Sequence, residues 1–357
     1  MKVLYVESIL TGHHLVYLSN LSNSTGIKNA VIIPEYQESI KANQFIYSEF
    51  SSQINFLEYF KWIRFIKNIA IKEEIDIIHF VYADIFYKYL FLGLKSLRKY
   101  KLILTFHQFR RDGIKGKIKD YILKYNSRFI NKIILHTKTL KKDLEELNIK
   151  NICQVEYPNF NTIECKNGIV SRKKIGIETN KMIIGFVGIL SEYKGIDILI
   201  EAINMLGDSI YLLIAGKPNY FTEEYIRSNL KINKNNYKII AKFLDDEEMI
   251  DCINCCDVLV LPYKKSFNGA SGPLGIAVDL KKTIVASNHG SLGDIVSNNN
   301  LGYTFKCENS MSLYEVLKSI RFKDSFSENL KYKQYRESIK LDKFISKHKK
   351  IYRTLGD

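Results

Sequence analysis

The sequence predicts an α/β protein made of two doubly wound, Rossmann-like units in series. Three observations carry this prediction. Short apolar runs alternate with stretches of helical period. The alternation pauses once in a polar segment and then restarts. The 357 residues suit two cores better than one. Short, continuously apolar strands set between helices mark βαβ units and a parallel sheet covered on both faces.

In the first unit the expected strands are MKVLYV (1–6), NAVIIP (29–34), DIIHFV (76–81), KLILTF (101–106) and KIILHT (132–137), with helices expected over Tyr59–Glu73 and Lys117–Phe129. The boundary belongs near 160–180, where YPNFNTIECKNGIVSRKK is polar, contains Pro158 and Gly168 and has no clear period. The second unit restarts with MIIGFVG (182–188), YLLIAG (211–216), YKIIAKF (237–243), VLVLPY (258–263) and TIVAS (283–287). Residues 1–165 form the first expected domain and 170–330 the second, followed by a helical, charged tail over 331–357.

No run of eighteen apolar residues occurs, so no membrane-spanning helix is expected. The start, MKVLYVESIL, lacks a signal-peptide layout because Glu7 interrupts its apolar stretch. A cytoplasmic protein is expected. Cys252, Cys255 and Cys256 resemble half of a zinc site, but no matching second pair exists, and buried reduced thiols are the better reading. No metal site is expected.

The net charge is +15, and it is concentrated. Residues 60–150 hold 21 basic and 9 acidic side chains, whereas residues 1–59 hold 3 and 5. A local basic face can meet a membrane surface, a nucleic acid or a phosphorylated ligand; a generally lysine-rich composition is the plain alternative. No exposed aromatic platform of a nucleic-acid module accompanies the basic residues, so a nucleic-acid partner is not expected.

Ligands of open α/β sheets bind beyond the carboxyl ends of the strands, so the residues that follow each strand are the candidates. Gly12, His13 and His14 follow the first strand, as a ligand turn or as a tight turn with histidines at a helix start. His107 follows KLILTF, as a group in the same crevice or as a core histidine. In the second half a strand ends at Gly188 and a loop carries Lys194, placed to meet an anion. A second strand ends in Gly216 and Lys217. The turn Asn268-Gly269-Ala270-Ser271-Gly272-Pro273 then opens a helix at Leu274. Ser271 suits an N-cap and Pro273 a first turn. Bare N–H groups there, at the positive end of the helix dipole, suit a phosphate.

These pieces carry a family resemblance. Gly12, DIIHF (76–80), TFH (105–107), GFVGILSEYKGIDILIEAI (185–203), LLIAGK (212–217), CDVLVLPY (256–263), IVASNHGSLGDIV (284–296) and GYTF (302–305) resemble, in order and spacing, the GT-B glycosyltransferases of family 4, also called glycosyl transferases group 1. The resemblance implies two Rossmann-like domains facing a central cleft, with the acceptor on the first, the nucleotide-sugar on the second and a last helix crossing back. It implies a metal-independent, retaining transfer from a UDP- or GDP-sugar, with no cofactor, onto a lipid-linked or other surface-glycan acceptor in capsule, lipopolysaccharide or related polysaccharide synthesis. His107 would be catalytic. Gly188, Lys194, Gly216, Lys217, Asn268, Gly269, Ser271, Gly272, Pro273 and Leu274 would bind the donor, and Gly12, His13 and His14 the acceptor.

Two departures stand out. Ile189 replaces the family's usual Arg, and Asn268 and Ile276 fall where it carries a Glu-x7-Glu pair. The loss favours one alternative to an active transferase, a non-catalytic GT-B partner subunit; a GT-B sugar-nucleotide epimerase is the other alternative, and the missing carboxylates count against it. The basic, near-amphipathic stretch 109–129 suits the inner face of an anionic membrane, or a helix packed on the sheet with a lysine-rich outer side.

Overall fold

The computed structural model describes residues 1–10, 13–49, 55–107, 113–160, 167–267, 269–320 and 329–356. The chain divides into two compact units. Unit 1 comprises Met1–Phe160 and Lys340–Asp357, and unit 2 comprises Asn161–Ile339.

Unit 1 runs β1 (Lys2–Val6), α1 (His13–Ser24), β2 (Lys28–Ile33), β3 (Asn43–Ile46), α2 (Phe56–Lys72), β4 (Ile77–Phe80), β5 (Lys101–Phe106), α3 (Gly113–Asn126), β6 (Lys132–Leu135), α4 (Lys138–Glu146) and β7 (Ile152–Gln154). All its strand pairs are parallel, in the order β3-β2-β1-β4-β5-β6-β7. The inner strands are apolar and buried on both faces, as a doubly covered sheet requires. Two strands go beyond the sequence expectation. β3 (NQFI) and β7 (ICQ) are the two edges; they are short and half-exposed, so their burial leaves no apolar run to read.

Unit 2 runs α5 (Gly168–Ile175), β8 (Ile183–Val187), α6 (Ile196–Leu206), β9 (Tyr211–Ala215), α7 (Glu223–Asn229), β10 (Tyr237–Ile240), α8 (Asp246–Cys255), β11 (Val258–Leu261), α9 (Gly272–Asp279), β12 (Thr283–Ser287), α10 (Gly290–Asn298), β13 (Gly302–Phe305), α11 (Ser310–Ser319) and α12 (Leu330–Ser338). Its sheet is parallel throughout, in the order β10-β9-β8-β11-β12-β13. The two sheets thus share one winding, and each reverses direction beside its first strand.

The tail expected as one helix is two. α12 belongs to unit 2, where Tyr332 donates to Val278 O at 2.5 Å. The chain breaks at Ile339, and α13 (Leu341–Gly356) joins unit 1. Its buried residues Phe344, Ile345, His348, Ile351 and Tyr352 follow helical spacing, and the apolar ones share a core cluster with Tyr5, Tyr17 and Leu21.

Polar bonds tie α13 to the sheet. His79, on β4, bridges Tyr352 Oη at 2.7 Å through Nδ1 and Thr105 Oγ1 at 2.8 Å through Nε2. Burial, then the nearby His348, pushes its pKa well below the usual histidine range. Replacing Tyr352 with Phe strands one buried imidazole nitrogen. The expected cost is about 1–3 kcal/mol in urea unfolding; a loss under about 0.5 kcal/mol would mean that another group satisfies the nitrogen.

Candidate functional site

Each sheet reverses its winding at one place, between β1 and β4 in unit 1 and between β8 and β11 in unit 2. Beyond the carboxyl ends at such a point the flanking loops diverge and leave room for a ligand.

In unit 1 four rings follow four adjacent strands. His14, Tyr82, His107 and His136 stand beyond β1, β4, β5 and β6. The His14 ring meets Tyr82 edge-on at 4.7 Å and lies 5.6 Å from His107, which lies 4.9 Å from His136. Tyr17 of α1 packs against both His107 and His136. Glu7, directly past β1, is only 2% exposed. Its Oε1 accepts from the N–H groups of Ser8 at 2.8 Å and Ile9 at 3.1 Å, and its Oε2 accepts from His14 Nδ1 at 3.3 Å. A buried carboxylate thereby fixes the His14 ring.

His107 is held from two sides. Its Nε2–H donates to Val81 O at 3.0 Å and its backbone N–H to Asp84 Oδ1 at 3.1 Å. His136 donates through Nδ1 to Val155 O at 2.8 Å, and burial lowers its pKa to about 4, leaving the ring neutral near pH 7. Of the acceptor candidates, Gly12 and the side chain of His13 lie outside the described residues. His14 and His107 come together. Sequence reasoning misses Glu7, Tyr82 and His136, although each follows a strand as directly as His107 does.

Past its strand ends unit 2 presents small residues and the side chain of Lys194. Gly188 ends β8 with φ +141° and Gly216 ends β9 with φ +149°. A Cβ on Gly216 would lie 1.8 Å from Gly188 O, and one on Gly188 would lie 3.8 Å from Pro273 Cγ. The two strand ends and the start of α9 therefore meet through bare backbone. Ser271 occupies the N-cap position of α9, yet it does not cap. Its Oγ lies 3.1 Å from Tyr263 Oη, and it makes no side-chain bond to the first-turn N–H groups. The helix start is left open to an anion at the positive end of its dipole.

Lys194 is connected to this place through Tyr263. Its Nζ lies 3.6 Å from the Tyr263 ring centre, 4.5 Å from Phe267 and 5.5 Å from Tyr193. Tyr193 and Phe267 are near-parallel at 5.8 Å, and Tyr263 meets Phe267 edge-on. Burial lowers the Lys194 pKa to about 7, and ring faces return part of the lost hydration of an ammonium. Tyr263 thus contacts both the caged lysine and the N-cap serine.

The remaining donor candidates divide. Gly272 and Pro273 form the first turn of α9. The Leu274 side chain is buried in the core, so only its backbone faces the turn. Gly269 O accepts from Ser291 Oγ at 3.2 Å, which ties the turn to α10. Lys217 is exposed, and its carbonyl accepts from Leu190 N–H. Asn268 lies outside the described residues. Ile276 is 3% exposed within the core, so the second position of the Glu pair serves packing. A carboxylate does approach from elsewhere. Glu308, past β13, accepts the Lys265 N–H at 3.0 Å and lies 3.8 Å from its Nζ. Sequence spacing gives no sign of it, because its place depends on which strands neighbour each other.

Among the described residues no cluster of His, Cys, Asp and Glu forms a metal site, and no helix is long and apolar enough to cross a membrane.

Residues 169–337 match the family model described as Glycosyl transferases group 1. An uncharacterized glycosyltransferase of Methanocaldococcus jannaschii is 28% identical over 299 residues, covering 82% of this chain and 79% of the relative. Among solved structures, a glycosyltransferase from Rickettsia africae superposes with a TM-score of 0.76 at 18% identity, covering 99% of this chain and 98% of that one. HepE from Anabaena, solved with UDP, gives 0.76 at 14% identity over the full length of both chains.

Proposed function

From the premise that the chain is a GT-B glycosyltransferase of group 1, we propose that it moves a sugar from a UDP- or GDP-sugar onto a lipid-linked surface-glycan acceptor, without a metal ion, at the inner face of the cytoplasmic membrane. One observation carries the donor half of this reading. The uncapped start of α9 lies beside the glycines that end β8 and β9, and Tyr263 links that start to Lys194. A leaving diphosphate needs its charge neutralised, and a helix N-terminus with a lysine supplies that without a cation. That HepE holds UDP supports a uridine nucleotide as the first ligand to try.

In unit 1, His14, oriented by Glu7, and His107 stand in the acceptor half. His107, held through Nε2 by Val81 O, is the group of this set proposed to meet the acceptor hydroxyl. Retention of the anomeric configuration is part of the proposal and comes from the family resemblance. Product NMR decides it.

Burial of Ile276 favours a second reading, a non-catalytic partner subunit, because it removes one carboxylate from the donor side. The test is a thermal-shift screen of UDP, GDP and their sugar conjugates in EDTA, followed by transfer and hydrolysis assays. UDP or GDP is expected to raise Tm by several degrees at saturating concentration, with turnover of one nucleotide-sugar. Binding without turnover selects the partner subunit. No shift with any nucleotide overturns the donor site.

A further inference from the structure

We propose that unit 1 carries a second lipid-contacting element besides the basic helix α3: an apolar ridge, built by the first turn of α2 and the turn at 88–92, that inserts into the headgroup region of an anionic bilayer. The proposal rests on the lipid-linked acceptor reading for its purpose only; its geometry stands by itself.

Five bulky apolar side chains are displayed where an ordinary surface would place polar ones. Phe56, Leu57, Phe60, Leu90 and Leu92 are between 36% and 73% exposed. They form one ridge because buried rings lock their two segments together. Tyr59 stacks on Tyr89 at 4.2 Å, the Phe56 ring meets Tyr89 edge-on at 5.4 Å, and Tyr59 Oη donates to Leu92 O at 2.6 Å. The backbone is bent to display them. Leu90 and Phe91 have φ of +52° and +56°, a left-handed conformation that bulky residues rarely adopt, and Gly93 follows at +85°. Phe91 is buried by this bend, while Leu90 and Leu92 emerge on either side of it. Rare backbone geometry held by the surrounding packing is a frequent mark of functional loops.

The flanks are cationic. Lys61, Arg64, Lys88 and Lys95 are exposed around the ridge; two acids, Glu49 and Glu58, stand beside Lys61, which pairs with Glu58 at 2.9 Å. α3 covers the same face of the sheet, since its Leu123 shares a core cluster with Tyr59, Trp62 and Ile63 of α2. Its outer side exposes Ile118, Tyr121 and Tyr125 among Lys117, Lys124 and Arg128, whose guanidinium stacks 3.7 Å over Tyr125. One layer of unit 1 therefore joins apolar and aromatic projections with flanks in which basic side chains outnumber acidic ones. A protein partner would need matching carboxylates and pockets. An anionic leaflet supplies charge and apolar depth to any such layer.

Flotation with phosphatidylcholine vesicles, with and without phosphatidylglycerol, tests the proposal on the full chain without nucleotide. Binding is expected only to the anionic vesicles, weakening as salt rises. The Leu57→Ser/Leu90→Ser variant should lower partition by about tenfold or more, with Tm and the UDP-induced Tm shift unchanged. Both residues are exposed, so folding is spared. Tyr121→Ser separates the two elements: loss through Tyr121→Ser alone, with the double variant binding as wild type, overturns the ridge. Absence of vesicle binding overturns it too, and self-association through the ridge seen by light scattering would name a second copy instead. A normal UDP shift beside failed vesicle binding leaves the transferase reading standing.

Discussion

Replacing Lys194 with Met is expected to weaken UDP binding by about a hundredfold while raising the Tm of the ligand-free protein. The two effects share one cause. Without ligand, Nζ rests among Tyr193, Tyr263 and Phe267, and burial lowers its pKa from 10.5 to about 7. A group whose folded pKa is depressed favours the unfolded, proton-binding chain wherever the two states differ. The penalty is complete below pH 7 and fades as pH rises towards 10.5. Methionine removes it, so the stabilisation should be greatest at or below pH 7, on the order of 1–2 kcal/mol after allowance for partial exposure. A bound diphosphate acts oppositely, restoring the ammonium and its pKa. Binding then takes up a proton, and above pH 7 the Kd should rise by up to about tenfold per pH unit. The terminal phosphate of UDP, with a second pKa of about 6, completes its own ionisation by about pH 8, so the slope above that pH isolates the lysine. Calorimetry in buffers of different ionisation enthalpy measures the proton directly. A Kd flat from pH 7 to 9, with no proton uptake, would remove Lys194 from the diphosphate site.

The same lysine shows what is legible in the sequence and what is not. Its place after β8 marks it as an anion ligand, because residues past parallel strands face the ligand side. The cage is not legible, since Tyr263 and Phe267 follow a different strand and reach Lys194 only because β11 lies beside β8. Ser271 reads as a cap from its residue type. The structure gives its hydroxyl to Tyr263 instead, and the open helix start that results suits phosphate better. In unit 1 every buried inner strand can be read from its apolar run. The edges β3 and β7 cannot, because half-exposed strands keep polar residues. Glu7 enters the sequence reading only as an interruption of an apolar stretch. Its role as the buried partner of His14 emerges once α1 folds back over the end of β1.

Gly216→Ala is expected to destabilise unit 2 by about 3–5 kcal/mol, a Tm loss of about 10 °C, and to abolish nucleotide binding. Two penalties coincide there. At φ +149° any residue with a Cβ is strained. The added carbon would also meet Gly188 O at 1.8 Å and Gly188 C at 2.6 Å. These are backbone atoms, so no rotamer relieves the clash, and one strand end must move. Gly188 N–H donates to Ala215 O at 2.9 Å, so separating the strand ends also breaks that bond. Gly188 in turn borders Pro273, and the displacement reaches the first turn of α9, where the diphosphate is proposed to bind. Gly207→Ala isolates the first penalty. Gly207 has φ +64° with nothing within 4 Å of an added Cβ, so only backbone strain of about 1–3 kcal/mol applies. Nucleotide binding should survive there. Equal Tm losses in the two variants would show that the β8 and β9 ends yield to a methyl group, and the bare-backbone floor would then be a consequence of sequence rather than a requirement of the site.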